Sequence, residues 1–267
     1  MDRKIAALRE VLAGLGSAAV AFSGGVDSTL LLSVCLEVLG HDRVLALTAD
    51  TELSAGGEPL EAQALARRLG AAHRSVPLSA LADGRVAANP PDRCYHCKKL
   101  LFAALQAEAA RAGFTLLVHG ANADDLRDYR PGLKAAQELG VRAPLLEAGL
   151  DKREIRKLAR RRHLPNWDRP AQACLASRIP YGTPLTGEAL ARVEAAEAAL
   201  RRLLPRPGDL RVRDHFPLAR IEISERSLPL LLRRRREAVR CLRELGYRQV
   251  AADLAGFRSG SLNEGLG

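Results

Sequence analysis

AFSGGVDS, residues 21–28, decides the reading of the chain. It lies between a short apolar run, residues 17–22, and an apolar stretch of helical length, residues 29–39, so it is a strand-to-helix turn. Gly24 and Gly25 let the backbone approach an anion closely. The helix that follows offers free N–H groups and the positive end of its dipole. Ser23 and Ser28 add hydroxyl donors. Asp27 is the odd member, because a carboxylate beside phosphates repels them unless a cation intervenes; it points to Mg²⁺ nearby. The turn has neither the lysine of GxxxxGK[ST] nor the spacing of GxGxxG. The bland alternative is a Gly-rich turn with a Ser or Asp cap.

Working outward, helix and strand patterns alternate. Helices are expected at 3–14, 29–39, 59–69, 94–111 and 151–162, the last capped by Asp151. Strands are expected at 17–22, 43–50, 71–78 and 115–120. This rhythm gives an α/β fold with a parallel sheet covered by helices. Residues 164–186 hold four prolines and little periodicity, and read as a long loop. A smaller α+β pattern follows: helix 187–204, strands 210–216 and 219–224, helix 227–245 and strand 248–254. The expected organisation is a nucleotide-binding domain over 1–165, a linker over 166–186, and a C-terminal domain over 187–267.

The chain has 267 residues, 47% of them hydrophobic, enough for a sizeable core. No apolar run is long enough to cross a bilayer, and the charged N-terminus MDRKIAALRE is unlike a secretory signal. The five cysteines (35, 94, 97, 174 and 241) form no regular framework, which suggests a cytoplasmic protein with reduced thiols. Residues 1–150 carry 16 Lys and Arg against 17 Asp and Glu; residues 151–267 carry 25 against 14. The basic C-terminal part suits a polyanionic or phosphorylated partner: RNA, a phosphorylated small molecule, or an acidic surface. The arginine-rich helix at 233–244 also reads as a merely solvated face.

Several residues invite chemistry. Cys174 lies in the irregular segment, with Arg169 five residues before it and Arg178 four after, positive charge that suits a thiolate. It also reads as a small buried hydrophobe. Cys94 and Cys97 form a CxxC around His96, but no second pair completes a zinc site. Arg211 and Arg213 alternate on a strand and so share a face with His215. They suit a phosphate clamp or a solvated strand, and Glu222 is a cross-strand partner for them. Asn122, Asp124, Asp125 and Asp128, with Arg127 and Arg130, follow the fourth strand near the crevice. Asn122 and Asp125 read either as ribose or Mg²⁺ ligands or as turn formers. Trp167 reads as a packing anchor.

SGGVDS in this context resembles the PP-loop ATP pyrophosphatases. RCYHCKKLLF (93–102), GANADDLRDYRPGLKA (120–135), PAQACLASRIPYG (170–182), RVRDH (211–215) and LAGFRSGSLNEG (254–265) follow it in order. Together they are similar to the LarE family of sacrificial sulfur transferases, nearly end to end. The resemblance implies an adenine nucleotide alpha hydrolase-like domain plus a small C-terminal α+β domain. It implies ATP and Mg²⁺, with Ser23, Gly24, Gly25, Val26, Asp27 and Ser28 on the pyrophosphate. Ala49 would lie near adenine and Gly120 near the nucleotide. It implies Cys174 as the sulfur donor. Ser177, Arg178, Arg211, Arg213 and Glu222 would lie on the substrate, pyridinium-3,5-biscarboxylic acid mononucleotide. ATP would adenylylate a carboxylate, the Cys174 thiolate would displace AMP, and cleavage of its Cβ–S bond would leave dehydroalanine. The family's ring of two trimers implies a homo-oligomer, a hexamer. A tRNA thiolase is the competing reading. It needs a sulfur relay and an aromatic RNA platform, whereas the chain has one Trp, four Tyr and five Phe, so nucleic acid is not the expected partner. An amide-forming ligase would need an ammonia source.

Overall fold

The computed structural model describes residues 2–127, 131–170, 173–258 and 261–263. Asp128, Tyr129 and Arg130 lie outside the described residues, as do Ala171, Gln172, Ser259, Gly260, Glu264 and Gly265 of the motifs above. In chain order the elements are α1 (Asp2–Ala13), β1 (Ala18–Ala21), α2 (Val26–Leu39), β2 (Val44–Asp50), α3 (Glu58–Arg68), β3 (Ala72–Pro77) and α4 (Gly84–Ala87). Then come α5 (Arg93–Arg111), β4 (Leu117–His119), α6 (Pro131–Glu138), α7 (Pro144–Glu147) and α8 (Lys152–Arg161). The remainder is α9 (Gly187–Leu203), β5 (Leu210–His215), β6 (Leu218–Ile223), α10 (Leu228–Arg233), α11 (Arg235–Glu244) and β7 (Gln249–Ala252). The chain divides into two compact units. The first is Met1–Ala80 with Asp92–Gln172; the second is Leu81–Pro91 with Ala173–Gly267.

In the first unit four strands pair in the order β3-β2-β1-β4, all parallel. Along β2 the side chains alternate between two cores: Val44 and Ala46 join Leu8, Leu12, Leu30 and Ile155 on one face, while Leu45 and Leu47 join Phe102, Leu105, Leu117 and Val141 on the other. Both faces are covered, so the strands read as continuous apolar runs instead of alternating with polar residues. The chain runs outward from β1 to β3 and then crosses to β4 on the other side of β1. The order therefore reverses between β1 and β4, and a crevice at their carboxyl ends is the expected ligand position.

In the second unit β5 pairs antiparallel with β6, and β6 parallel with β7. Its core joins Leu200 and Leu204, Val212, Ile221 and Ile223, and Leu231 and Leu242. Asn89, from the segment around α4, donates to the carbonyls of Pro180 at 2.8 Å and Thr183 at 3.0 Å. The helix expected over 227–245 is two helices, broken at Arg234 with ψ of 15°. Four adjacent arginines, 233–236, give the core no apolar side chain at the joint and repel one another. Helices α6 and α7, where the sequence reading placed no element, both start on proline, whose fixed φ suits a first helical position. Among the described residues no helix is long and apolar enough to cross a membrane.

His119, at the end of β4, lies edge-on to Phe102. Burial, with the charge of Lys98, pushes its imidazole down from 6.5 to about 4. Between those values the unfolded chain binds a proton that the folded chain does not, so stability falls as pH drops from about 6.5 towards 4. Urea midpoints measured across this range are expected to decline less for His119→Gln than for the unaltered chain.

Candidate active site

The first unit builds an anion cradle from the turn after β1. Gly24 has φ of 72° and lies against α3, where a Cβ would come 3.3 Å from Cα and Cβ of Ala62. Gly25 is the N-cap of α2. Its carbonyl accepts from Ser28 Oγ at 3.1 Å and Thr29 Oγ1 at 2.8 Å, which turns the chain sharply into the helix. Ser23 Oγ lies 3.3 Å from Ser28 Oγ. Asn166 braces the turn from α8's far end: its amide donates to the Gly24 carbonyl at 2.8 Å and to Thr29 Oγ1 at 2.9 Å. The first amides of α2 have no acceptor one turn back and are left for a ligand.

Gly120, immediately after β4, closes the crevice. A Cβ there would fall 2.9 Å from the backbone nitrogen of Ser28 and 3.1 Å from the carbonyl carbon of Asp27. Only a glycine lets this strand end pass so near the loop. Ala49 sits half-buried on β2, one residue after Thr48, whose hydroxyl donates to the Phe22 carbonyl at 2.6 Å. Asn122 and Asp125 are turn formers here: Asn122 Oδ1 accepts from the Asp124 amide at 3.0 Å, and Asp125 Oδ2 from the Asn122 amide at 2.9 Å.

Asp27 does not stand alone. Lys152, the first residue of α8, forms an ion pair with Asp27 Oδ2. Its own amide donates to Asp124 Oδ2 at 2.9 Å. Burial raises the Asp27 carboxyl above its ordinary range, and Lys152 opposes that rise. Asp27 Oδ1 is buried without a hydrogen-bond partner. A carboxylate oxygen left open beside phosphate-seeking amides fits a Mg²⁺ whose other ligands would be phosphate oxygens and water.

The second unit gathers the other set. Cys174 is exposed and caps a short 3₁₀ turn, Leu175–Arg178. Its carbonyl accepts from the Ser177 hydroxyl at 2.8 Å and from Arg178 Nη1 at 3.0 Å. Arg178 is buried in a two-pronged pair with Glu197, at 2.8 and 3.1 Å. Arg213 is only 2% exposed. It donates to the Ser177 carbonyl, to Glu222 Oε2 at 2.8 Å and to Ser261 Oγ at 2.7 Å. Arg211 differs. Its guanidinium lies 4.7 Å over the Phe257 ring, and among the described residues it makes no hydrogen bond. Burial and the nearby charges of Arg178 and Arg213 lower its pKa to about 10. Such crowding is relieved by an anion.

The structure thus brings Ser23, Gly24, Gly25, Val26, Asp27, Ser28 and Gly120 together in one unit, and Cys174, Ser177, Arg178, Arg211, Arg213 and Glu222 in the other. Arg169 lies in the first unit, paired with Glu61. Cys94 and Cys97 occupy the first turns of α5, with Arg93 Nη2 donating to Cys94 Sγ at 3.7 Å. Sequence reasoning missed Lys152, Asn166 and Glu197. Only the expected N-cap Asp151 marked the start of α8, and nothing local tied it to the loop.

The NAD synthase family profile matches residues 2–92. An uncharacterised protein of Synechocystis sp. is 42% identical over 268 residues, covering 100% of this chain and 99% of that protein. The pyridinium-3,5-bisthiocarboxylic acid mononucleotide synthase of Lactiplantibacillus plantarum is 42% identical over 264 residues, 98% of this chain and 95% of that one. An uncharacterised protein of Methanocaldococcus jannaschii is 29% identical over 244 residues, 90% of each chain.

Glu222 and Arg211 should respond oppositely to truncation. Glu222→Ala strands the buried Arg213 charge and is expected to cost about 3–5 kcal/mol of stability. Arg211→Ala breaks no hydrogen bond and should change stability by less than about 1 kcal/mol. Denaturant unfolding of the two variants checks both values.

Proposed function

The chain belongs to the LarE family of ATP-dependent, sulfur-transferring PP-loop enzymes, and on that premise we propose that it inserts sulfur from its own Cys174 into a pyridinium dicarboxylate mononucleotide. The observation that carries this reading is the pair of cradles: a lysine-free phosphate loop in one unit, and an exposed cysteine beside clustered arginines in the other.

A carboxylate is a poor electrophile. Attack of a substrate carboxylate oxygen on the α-phosphorus of ATP makes a mixed anhydride and releases pyrophosphate from the α2 amides, Ser23 and Ser28. Mg²⁺ held at Asp27 Oδ1 would neutralise the departing pyrophosphate charge. The Cys174 thiolate then attacks the activated carbonyl carbon, and AMP leaves with the former carboxylate oxygen. The product is a thioester joining substrate and protein. Loss of the Cys174 Cα proton and cleavage of Cβ–S complete the transfer: the C–H electron pair becomes the Cα=Cβ bond, and the sulfur leaves on the substrate as a thiocarboxylate.

Arg211, whose guanidinium makes no hydrogen bond among the described residues and whose charge is destabilised by burial and by Arg178 and Arg213, is the side chain best suited to the substrate phosphate. Arg178 and Ser177 hold the Cys174 carbonyl and so fix the backbone from which the thiolate projects. Arg213 and Glu222 brace the Ser177 carbonyl beneath it. A substrate with one phosphate and two carboxylates accounts for the basic second unit without invoking nucleic acid. A homo-oligomer, a hexamer in the family's manner, belongs to the same reading.

Intact-mass measurement after turnover tests the donor. The chain should lose about 34 Da, the mass of H₂S, localised to the peptide holding residue 174, and activity should stop near one sulfur per chain. Cys174→Ala should release pyrophosphate and leave the substrate adenylylated, but form no thiocarboxylate. Sustained turnover on an external sulfide source, with chain mass unchanged, would end the sacrificial reading.

A further inference from the structure

The phosphate loop carries no lysine of its own, yet a lysine reaches it. Lys152 is held at two points: its amide on Asp124 Oδ2 at 2.9 Å, and its ammonium on Asp27 Oδ2. The first contact anchors the backbone, and the four-carbon side chain remains free to swing about it. The second is not sealed from solvent, the side chains being 30% and 23% exposed. That partial exposure leaves the pair within reach of an incoming ligand, and stability alone is an incomplete reason for it.

Position gives a better one. Asp27 is the second residue of α2, next to Ser28, whose hydroxyl folds back to the Gly25 carbonyl. The ammonium is therefore parked within one helical turn of the glycine cradle, at the end of the helix that attracts anions. Its neighbours are committed elsewhere. Arg156, one turn further along α8, donates to the carbonyls of Trp167 at 3.1 Å and Arg169 at 2.8 Å. Arg162 donates to Ser33 Oγ at 3.3 Å and pairs with Glu37. Lys152 meanwhile occupies only one oxygen of the Asp27 carboxylate, and the other is buried and unbonded.

We propose that Lys152 is the phosphate-binding cation of this loop, resting on Asp27 before nucleotide enters and moving onto the pyrophosphate half of ATP when it does. An ammonium is a point charge suited to phosphate oxygens in any orientation. Its departure frees the Asp27 carboxylate for a divalent cation, so the two cations exchange places around one carboxylate. The inference rests on the ATP-cleaving reading above and adds to it the residue that replaces the missing loop lysine.

Titration calorimetry on the full chain tests it, with pyrophosphate plus Mg²⁺ and separately with AMP as probes. Lys152→Met should weaken pyrophosphate binding roughly ten- to a hundredfold, the value of a charge-assisted hydrogen bond, and leave AMP binding within about twofold. Lys152→Arg should recover most of the loss. Mn²⁺ binding without nucleotide, read by electron paramagnetic resonance, should tighten in Lys152→Met, because the competing cation is gone. Unchanged pyrophosphate affinity, equal weakening of both probes, failure of arginine to rescue, or unchanged Mn²⁺ affinity would each overturn the proposal. Should Lys152→Met fold poorly, Lys152→Gln serves in its place. Formation of ADP by the unaltered chain would refute the ATP-cleavage reading while the pyrophosphate titration still decides the role of Lys152.

Discussion

A carboxylate at the mouth of a phosphate loop must be matched by positive charge, and much of the first unit serves that requirement. Asp27 takes a place in the first turn of α2, where the helix dipole favours an anion. It is buried enough to raise its carboxyl above the ordinary range, and Lys152 opposes the rise. That lysine arrives only because α8 begins where it does. The reciprocal bonds of Asp151 and Glu154 fix the helix start, while Ile155 and Leu158 seat α8 in the same core as Leu30 and Leu31 of α2. Asp124, in the turn after β4, holds the Lys152 amide. The strand that brings Asp124 there can approach the loop only because residue 120 has no side chain. Loop, strand end and helix start are thus set by one electrostatic demand.

The second unit faces the opposite demand. Around Arg211 the charges of Arg178 and Arg213 gather with those of Glu197 and Glu222. Glu197 matches Arg178, and Glu222 matches Arg213, each in a pair almost wholly removed from water. Such pairs repay their desolvation only when the remaining donors are also satisfied. Here the backbone around Cys174 takes up several of them: the carbonyls of Ala173, Cys174 and Ser177 all accept from guanidinium groups, while Arg213 Nε is buried without a partner among the described residues. The cysteine-bearing turn is therefore held by charge-assisted bonds together with the buried side chains of Leu175 and Ala176, and Cys174 itself stays exposed. Among the described residues Arg211 forms no ion pair, and burial with the charges of Arg178 and Arg213 lowers its pKa, so an anion beside it would be stabilising.

The alternation of β1 to β4 with their helices was legible because apolar runs and capping residues are local. Asp151 was read as an N-cap from its position alone, and the structure gives it both bonds of a capping box. The tight turn at Gly24 and Gly25 was legible because two adjacent glycines between a strand and a helix permit it. The role of Lys152 was not legible, since it depends on where α8 lands, 125 residues away from Asp27. Asn166 was read as part of an irregular segment, whereas its amide holds the loop through the Gly24 carbonyl. The placement of residues 81–91 with the second unit was equally hidden, because Asn89 reaches carbonyls some ninety positions away. The break at Arg234 follows from a local absence of apolar side chains, a signal weaker than the helical propensity on either side.

Activation of a carboxylate by adenylylation is the step on which the functional reading turns, and the fate of a carboxylate oxygen reports it directly. With the substrate carboxylates labelled by ¹⁸O, and the AMP and pyrophosphate analysed by mass spectrometry, attack at the α-phosphorus followed by thiolate displacement places one labelled oxygen in AMP and none in pyrophosphate. Unlabelled AMP, or label in inorganic phosphate with ADP as the nucleotide product, would contradict it.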